Sequence, residues 1–143
     1  MGWWSTNIMG GDAPLDFEDE FFHISDVEKF PKSGGIGTIP KEKVEKHLNE
    51  FVETIEKDDY EPWIGMQVLA VTSIKVGANI PKKIMKKMIK ACDDDSWAKE
   101  NSERKTSVEN LKNALTKYDG TPIVISSKGL FETFADKINN KTQ

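Results

Sequence analysis

Cysteine is nearly missing from this chain, with Cys92 alone among 143 residues. A single thiol closes no internal disulfide, so packing must hold the fold, and a reducing, cytoplasmic setting fits best. Long apolar runs are missing too. The longest, Met66 to Val76, is broken by Gln67, Thr72, Ser73 and Lys75 and falls far short of the ~20 residues that cross a bilayer, so no membrane partner is expected. No positively charged start leads into an apolar stretch, and no signal peptide is read. Histidine is scarce. His23 and His47 fall on different predicted elements without ligand spacing, so no metal and no cofactor are expected. Nor is there an excess of positive charge: the formal net charge is −4, which makes generic nucleic-acid binding a poor fit while leaving room for a local basic patch.

What is present is apolar mass in a charged chain. Four Trp and seven Phe accompany 31% charged residues, enough large side chains to build a core in one domain of this length. Helical periodicity dominates. Asp12 reads as an N-cap, with Pro14 in the first turn and Leu15, Phe17, Phe21 and Phe22 on a short acidic helix to about His23. The stretch from Ile24 to Pro40 holds Pro31, Ser33, Gly34, Gly35, Gly37 and Pro40 and is expected to be a mobile loop. From Lys41 to Lys57, Val44, Leu48, Phe51 and Ile55 form one apolar stripe.

Tyr60 to Val76 is apolar around most of its circumference, which predicts a central helix covered by its neighbours. Gly77 and Asn79 end it. Pro81 then opens a helix striped by Ile84, Met85, Met88, Ile89 and Cys92, and so short a connection predicts antiparallel neighbours. After Asp93-Asp94-Asp95, read as a linker, a helix is expected from Ser96 to Tyr118, with a polar middle from Lys99 to Thr106. Thr106-Ser-Val-Glu109 reads as a capping box restarting it. Ile123 to Ile125 suits a short extended piece, and Ser127 a cap for a last helix carrying Leu130, Phe131, Phe134, Ala135 and Ile138. The tail after Asn139 is expected to fray. The fold class expected is all-α: one domain, a bundle of five or six helices, with a Gly-rich loop at about 31–40.

The N-terminus is unusual for its tryptophans. Trp3 and Trp4 in so short a segment suggest that residues 1–11 dock onto the body, because an exposed indole pair would leave an apolar patch in water. The opening Met1-Gly2-Trp3-Trp4, the Gly10-Gly11-Asp12 step and Leu15-Asp16 resemble the N-terminal signature of an uncharacterised family of small helical bacterial and phage proteins, a domain of unknown function. Val68 to Val76 followed by Asn79-Ile80-Pro81 is similar to that family's central helix and exit turn, whereas Trp4-Ser5-Thr6-Asn7 departs from its usual Trp-Gly-Thr-Gly. The resemblance implies a helical fold and a bacterial or phage origin. It implies no catalytic residues.

Candidate site residues fall into two groups. Trp3, Trp4, Asp12, Asp16, Gly35 and Gly37 would make a small-ligand site: indoles to stack a base, carboxylates one helical turn apart, and loop amides before a helix to hold a phosphate. The bland readings are a hydrophobic plug, a cap with a dipole-complementing acid, and a surface loop, since no Gly-Lys-Ser or Gly-Lys-Thr ending is present. Lys82, Lys83, Lys86, Lys87 and Lys90 would make a partner-binding face on one helix, against the plain alternative of a solvated face opposite an apolar stripe. The acidic Asp16, Glu18, Asp19 and Glu20 could pair with that face between subunits of a homo-oligomer. Cys92 closes an apolar stripe and reads as an inert thiol. The leading expectation is therefore a non-enzymatic binding or accessory protein acting through protein–protein contacts. The alternative is a protein that binds, sequesters or hydrolyses a small phosphorylated ligand or nucleotide near the Trp pair and the Gly-rich loop.

Overall fold

The computed structural model describes residues 8–35, 37–125 and, for the backbone alone, 131–133. Five helices precede two short strands: α1 (Asp12–Ser25), α2 (Lys41–Lys57), α3 (Pro62–Lys75), α4 (Lys82–Asp93), α5 (Ser102–Lys117), β1 (Ile123–Ile125) and β2 (Phe131–Thr133). The all-α bundle expected from periodicity is what forms.

α3 is the axis of the bundle. It starts with Pro62, whose missing N–H costs nothing in a first turn, and it buries residues on every side, from Ile64 to Val68, Leu69, Ala70 and Ile74. The other four helices and β1 all pack on it. Gly65 permits the closest approach: a Cβ there would sit 2.7 Å from Ile55 Cγ1 and 3.0 Å from Phe17 Cε1, so only a glycine lets α1 and α2 come this near. Those two helices meet through Phe21 and Phe51, ring centroids 4.8 Å apart and both fully buried. Each such ring taken out of water contributes about 1.5–3 kcal/mol.

α2 occupies the range its stripe predicts, with Val44, Leu48, Phe51, Val52 and Ile55 buried. α1 departs in detail. Asp12 is not its N-cap: Gly11 holds that position in extended conformation with no side-chain cap bond, and Asp12 is the first helical residue. Its carboxylate still complements the helix dipole. At the other end, Asp26 adopts the left-handed conformation (φ 56°), and its N–H and that of Val27 close the last turn on His23 and Phe22 carbonyls. Ile8 is buried in the same core, which ties the last described residues of the N-terminal segment to the body. Trp3 and Trp4 lie outside the described residues.

The Gly-rich connection is anchored along its length. Gly37 donates to Lys29 O at 2.7 Å, Ile39 is buried, and Lys43 Nζ reaches back to Ser25 O at 3.0 Å. Its tip alone is open, with Gly34 and Gly35 at positive φ and no neighbour near.

The long helix expected from Ser96 to Tyr118 is replaced by turns to Glu100 and a helix beginning at Ser102. Asn101 caps it by accepting the Arg104 amide at 3.0 Å. Thr106, read as a restart cap, lies inside the helix, and its hydroxyl donates to Ser102 O instead. The last predicted helix is also corrected where the structure describes it: residues 131–133 form β2, antiparallel to β1, with Ile123 opposite Thr133 and Ile125 opposite Phe131. The rest of that expected helix, with its Ser127 cap, lies outside the described residues. No helix among the described residues is long and apolar enough to cross a membrane.

Candidate functional site

α4 carries two different faces, one toward the core and one toward solvent. Ile84, Met88, Ala91 and Cys92 face the core, spaced at four, three and one. Half-buried Met85 and Ile89 flank that face, lysines occupy most of the remainder, and the structure divides the lysines. Lys87 pairs with Glu56 of α2 at 2.9 Å, and Lys90 pairs with Asp94 one turn away at 2.7 Å. Lys82, Lys83 and Lys86 are exposed and make no ion pair among the described residues. Three exposed ammonium groups close together on one helix repel one another.

Beside Lys82 runs a groove of about 460 Å³ between α4 and the end of α5, lined by Ile80, Met85, Ile89, Leu115 and Tyr118. Its floor is rigid. Tyr118 donates its hydroxyl to Ala78 O at 2.6 Å, and burial, with Glu45 and Asp119 near, pushes the phenol up to about 12. Gly77, at φ 71°, lets the chain turn there: a Cβ would lie 2.7 Å from Gly120 O. Asn79 N donates to Glu45 at 2.6 Å, fixing the approach to α4 from α2. Asp119 also lines the groove, its carboxyl held below the usual range by the Thr121 amide.

The ligand-site candidates are distributed otherwise. Asp12 is exposed in the first turn of α1. Asp16, one turn on, accepts the Tyr60 hydroxyl at 2.8 Å, a bond that raises the tyrosine's pKa. Gly37 contributes its N–H to Lys29 and not to an open cradle, and a Cβ on it would run into Glu28 O. Gly35 sits at the open tip. The acidic face of α1 is partly occupied: Lys29 bridges Glu18 at 3.0 Å and Asp19 at 2.6 Å. Burial works against the Lys29 charge, but these two carboxylates outweigh it and raise the pKa. Among the described residues no group of three His, Cys, Asp or Glu is placed to hold a metal ion.

One constellation escaped the sequence reading. Asp95, taken as linker, and Arg104, in the polar stretch before Thr106, are both fully buried and joined Oδ2 to Nε at 2.9 Å. Gln67 of α3 completes the set, accepting from Arg104 Nη2 at 2.7 Å and donating to Asp95 Oδ2 at 3.1 Å and Ala91 O at 3.2 Å. The remaining Asp95 oxygen accepts the Ala98 amide at 2.9 Å. The guanidinium carbon lies 5.7 Å from the Trp63 ring and 5.1 Å from the Trp97 ring, within cation–π range of both. Burial lowers the arginine's pKa and Asp95 opposes this, from a starting point so high that the charge persists at physiological pH. The cluster ties α3, the 94–101 turns and α5 together. Every Asp95 oxygen is engaged within the protein, so the cluster serves the fold. Cys92, close by, is pushed up to about 12 by burial and by Asp93, which leaves it a thiol and a poor nucleophile.

Of the candidates, then, only the lysine face combines exposure with unbalanced charge and an adjoining groove. No protein-family model, no curated protein and no solved structure matches the chain.

Proposed function

We propose that this protein is a non-enzymatic binding protein and that the outer face of α4 is its contact surface for an acidic region of another protein. The observation that carries the reading is the division among the lysines. Lys87 and Lys90 have partners within the chain, while Lys82, Lys83 and Lys86, on the same helix, have none among the described residues. Unbalanced charge of one sign in a chain of net charge −4 costs self-repulsion and raises encounter rates with an oppositely charged partner. The resemblance of residues 1–16 to a family of small bacterial and phage proteins supports a macromolecule of the bacterial host as that partner. The lone, buried Cys92 supports a cytoplasmic setting.

Amine-reactive footprinting tests this. Labelled in bacterial extract and in buffer, Lys82, Lys83 and Lys86 are expected to lose reactivity in the extract, while Lys41, Lys46 and Lys57 on α2 keep theirs. Equal labelling of both sets in both conditions would contradict the reading.

A further inference from the structure

A cleft of about 410 Å³ lies at the other end of α4, between its last turn, the 94–101 turns and one face of α5. Its size is within the ~300–1,000 Å³ of clefts that take small molecules. Its floor is apolar and fixed. Cys92, Ala98 and Val108 line it and are all buried, and the Cys92 thiol, which burial keeps protonated, packs there as an apolar group. Asp95 lines the cleft too, and its bonds to Arg104 and Gln67 pin the turns against α5 and α3. Trp97 O accepts the Glu100 and Asn101 amides at 3.1 and 3.0 Å, so Lys99 is carried on a held turn.

The charges around this floor are unequally shared. α5 presents Lys105, Glu109 and Lys112 at spacings of four and three on one face, while Asp93 and Lys99 come from the chain before it. Asp95 is neutralised by Arg104. Lys112 bridges Asp93 at 2.6 Å, and its pKa is raised by that bond first and by Glu109 in smaller part, so both acids act on one cation. Lys99 and Lys105 are exposed and make no ion pair among the described residues. They also lie close along the chain, since the Lys105 amide donates to Asn101 O at 2.9 Å, two residues past Lys99. The cleft therefore has a basic end, where α5 begins and its dipole is positive. About 10 Å along the helix is an end where two carboxylates surround one lysine.

We propose that this cleft binds a small organic anion, with a single phosphate or carboxylate head between Lys99 and Lys105 and an apolar body laid over Ala98 and Val108 toward Cys92. A second negative group on the ligand would meet Asp93 and Glu109, so molecules charged at both ends are rejected. An inorganic anion would forgo the apolar floor and depend on screened surface charge alone. None of these residues belongs to the lysine face of α4, so the two assignments are tested separately.

The test titrates the full-length, isotope-labelled protein with phenyl phosphate and follows its amide resonances. Saturable shifts are expected at Ala98, Lys99, Lys105 and Val108, with inorganic phosphate binding about tenfold more weakly for want of the ring. Phenylacetate in a parallel titration distinguishes the heads: saturable binding of either anion at these amides supports the proposal, and the tighter one assigns the head. Terephthalate, acidic at both ends, should bind more weakly than phenylacetate. Lys99→Gln with Lys105→Gln should weaken phenyl phosphate about tenfold, whereas Lys41→Gln with Lys46→Gln on α2 should leave it unchanged. All four lysines are exposed, so melting curves should coincide. Shifts confined to other parts of the chain overturn the proposal, as does equal affinity for phenyl phosphate and inorganic phosphate. Benzylamine binding at the same amides as tightly as phenyl phosphate, full affinity in the Lys99, Lys105 double variant, or no saturable shift with either anion up to about 10 mM would overturn it as well.

Discussion

Arg104 donates its Nε–H to Asp95 Oδ2 at 2.9 Å, and neither side chain keeps any exposure to solvent. Taking both charges out of water is expensive, and the attraction between them offsets that only because Gln67 and the Ala98 amide satisfy the remaining groups. Removing one partner strands the other. Arg104→Met or Asp95→Ala alone should therefore destabilise the protein by about 3–5 kcal/mol, measured by urea unfolding. Replacing Asp95, Arg104 and Gln67 together by Leu, Met and Leu should cost much less than the sum of the singles, since no buried polar group is then left unpaired. An Arg104→Met protein that unfolds at the wild-type urea midpoint would show that the cluster contributes nothing.

Gly65 sits where a side chain would collide with Ile55 and Phe17. Alanine favours a helix interior over glycine by about 1 kcal/mol, whereas overpacking a core costs about 1–3 kcal/mol. With Ile55 Cγ1 and Cγ2 both within 3 Å of the new carbon and both fully buried, the clash should win and Gly65→Ala should lower the unfolding free energy. Combining it with Ile55→Ala opens the space, so the double variant should lose less than the two singles added. A Gly65→Ala protein more stable than wild type would mean that α1 and α2 can move apart.

Cys92, Tyr118 and Lys29 all have raised pKa values, and they share a consequence. Each keeps its proton in the folded state at a pH where the unfolded chain has lost it, so stability falls as pH rises. The stabilising contribution of Cys92 is complete below its ordinary value of 9.0 and is lost as pH climbs toward about 12. Tyr118 follows between 10.0 and about 12. Chemical denaturation across this range should show stability declining from about pH 9 upward, with Cys92→Ala delaying the onset to that of the tyrosine and lysine. The same thiol should resist alkylation at neutral pH until the protein is unfolded. A stability curve that is flat through the alkaline range would contradict the burial argument.

Regular, amphipathic elements were legible. α2 starts and ends where its stripe does, and the apolar girth of α3 correctly marks it as the centre. The buried cluster was not, because Asp95 stands at the end of an acidic run and Arg104 in a stretch without periodicity, both of which read as solvated. Gln67 was the available signal. A polar residue on a helix apolar all round needs a buried partner, which Asp95 and Arg104 supply. Asn101 was overlooked as a cap for the same reason, since Thr106 matched a capping motif and Asn101 preceded residues with no apolar pattern. At the candidate site, sequence identified the lysine helix but could not divide it. Lys87 is taken up by Glu56, far away in the chain, and Lys90 by Asp94 one turn on.

The central claim is that the lysines without partners on α4 are the surface through which the protein binds. The most direct measurement is quantitative capture from bacterial extract by three forms of equal fold: wild type, a Lys82→Glu, Lys83→Glu, Lys86→Glu variant, and a charge-matched control reversed at Lys41, Lys46 and Lys57. Surface reversals away from packed contacts change stability little, so melting curves should coincide. The account predicts a protein retained by wild type and control and lost from the α4 variant. Retention of the same proteins by all three, or loss from both reversed forms alike, would contradict it.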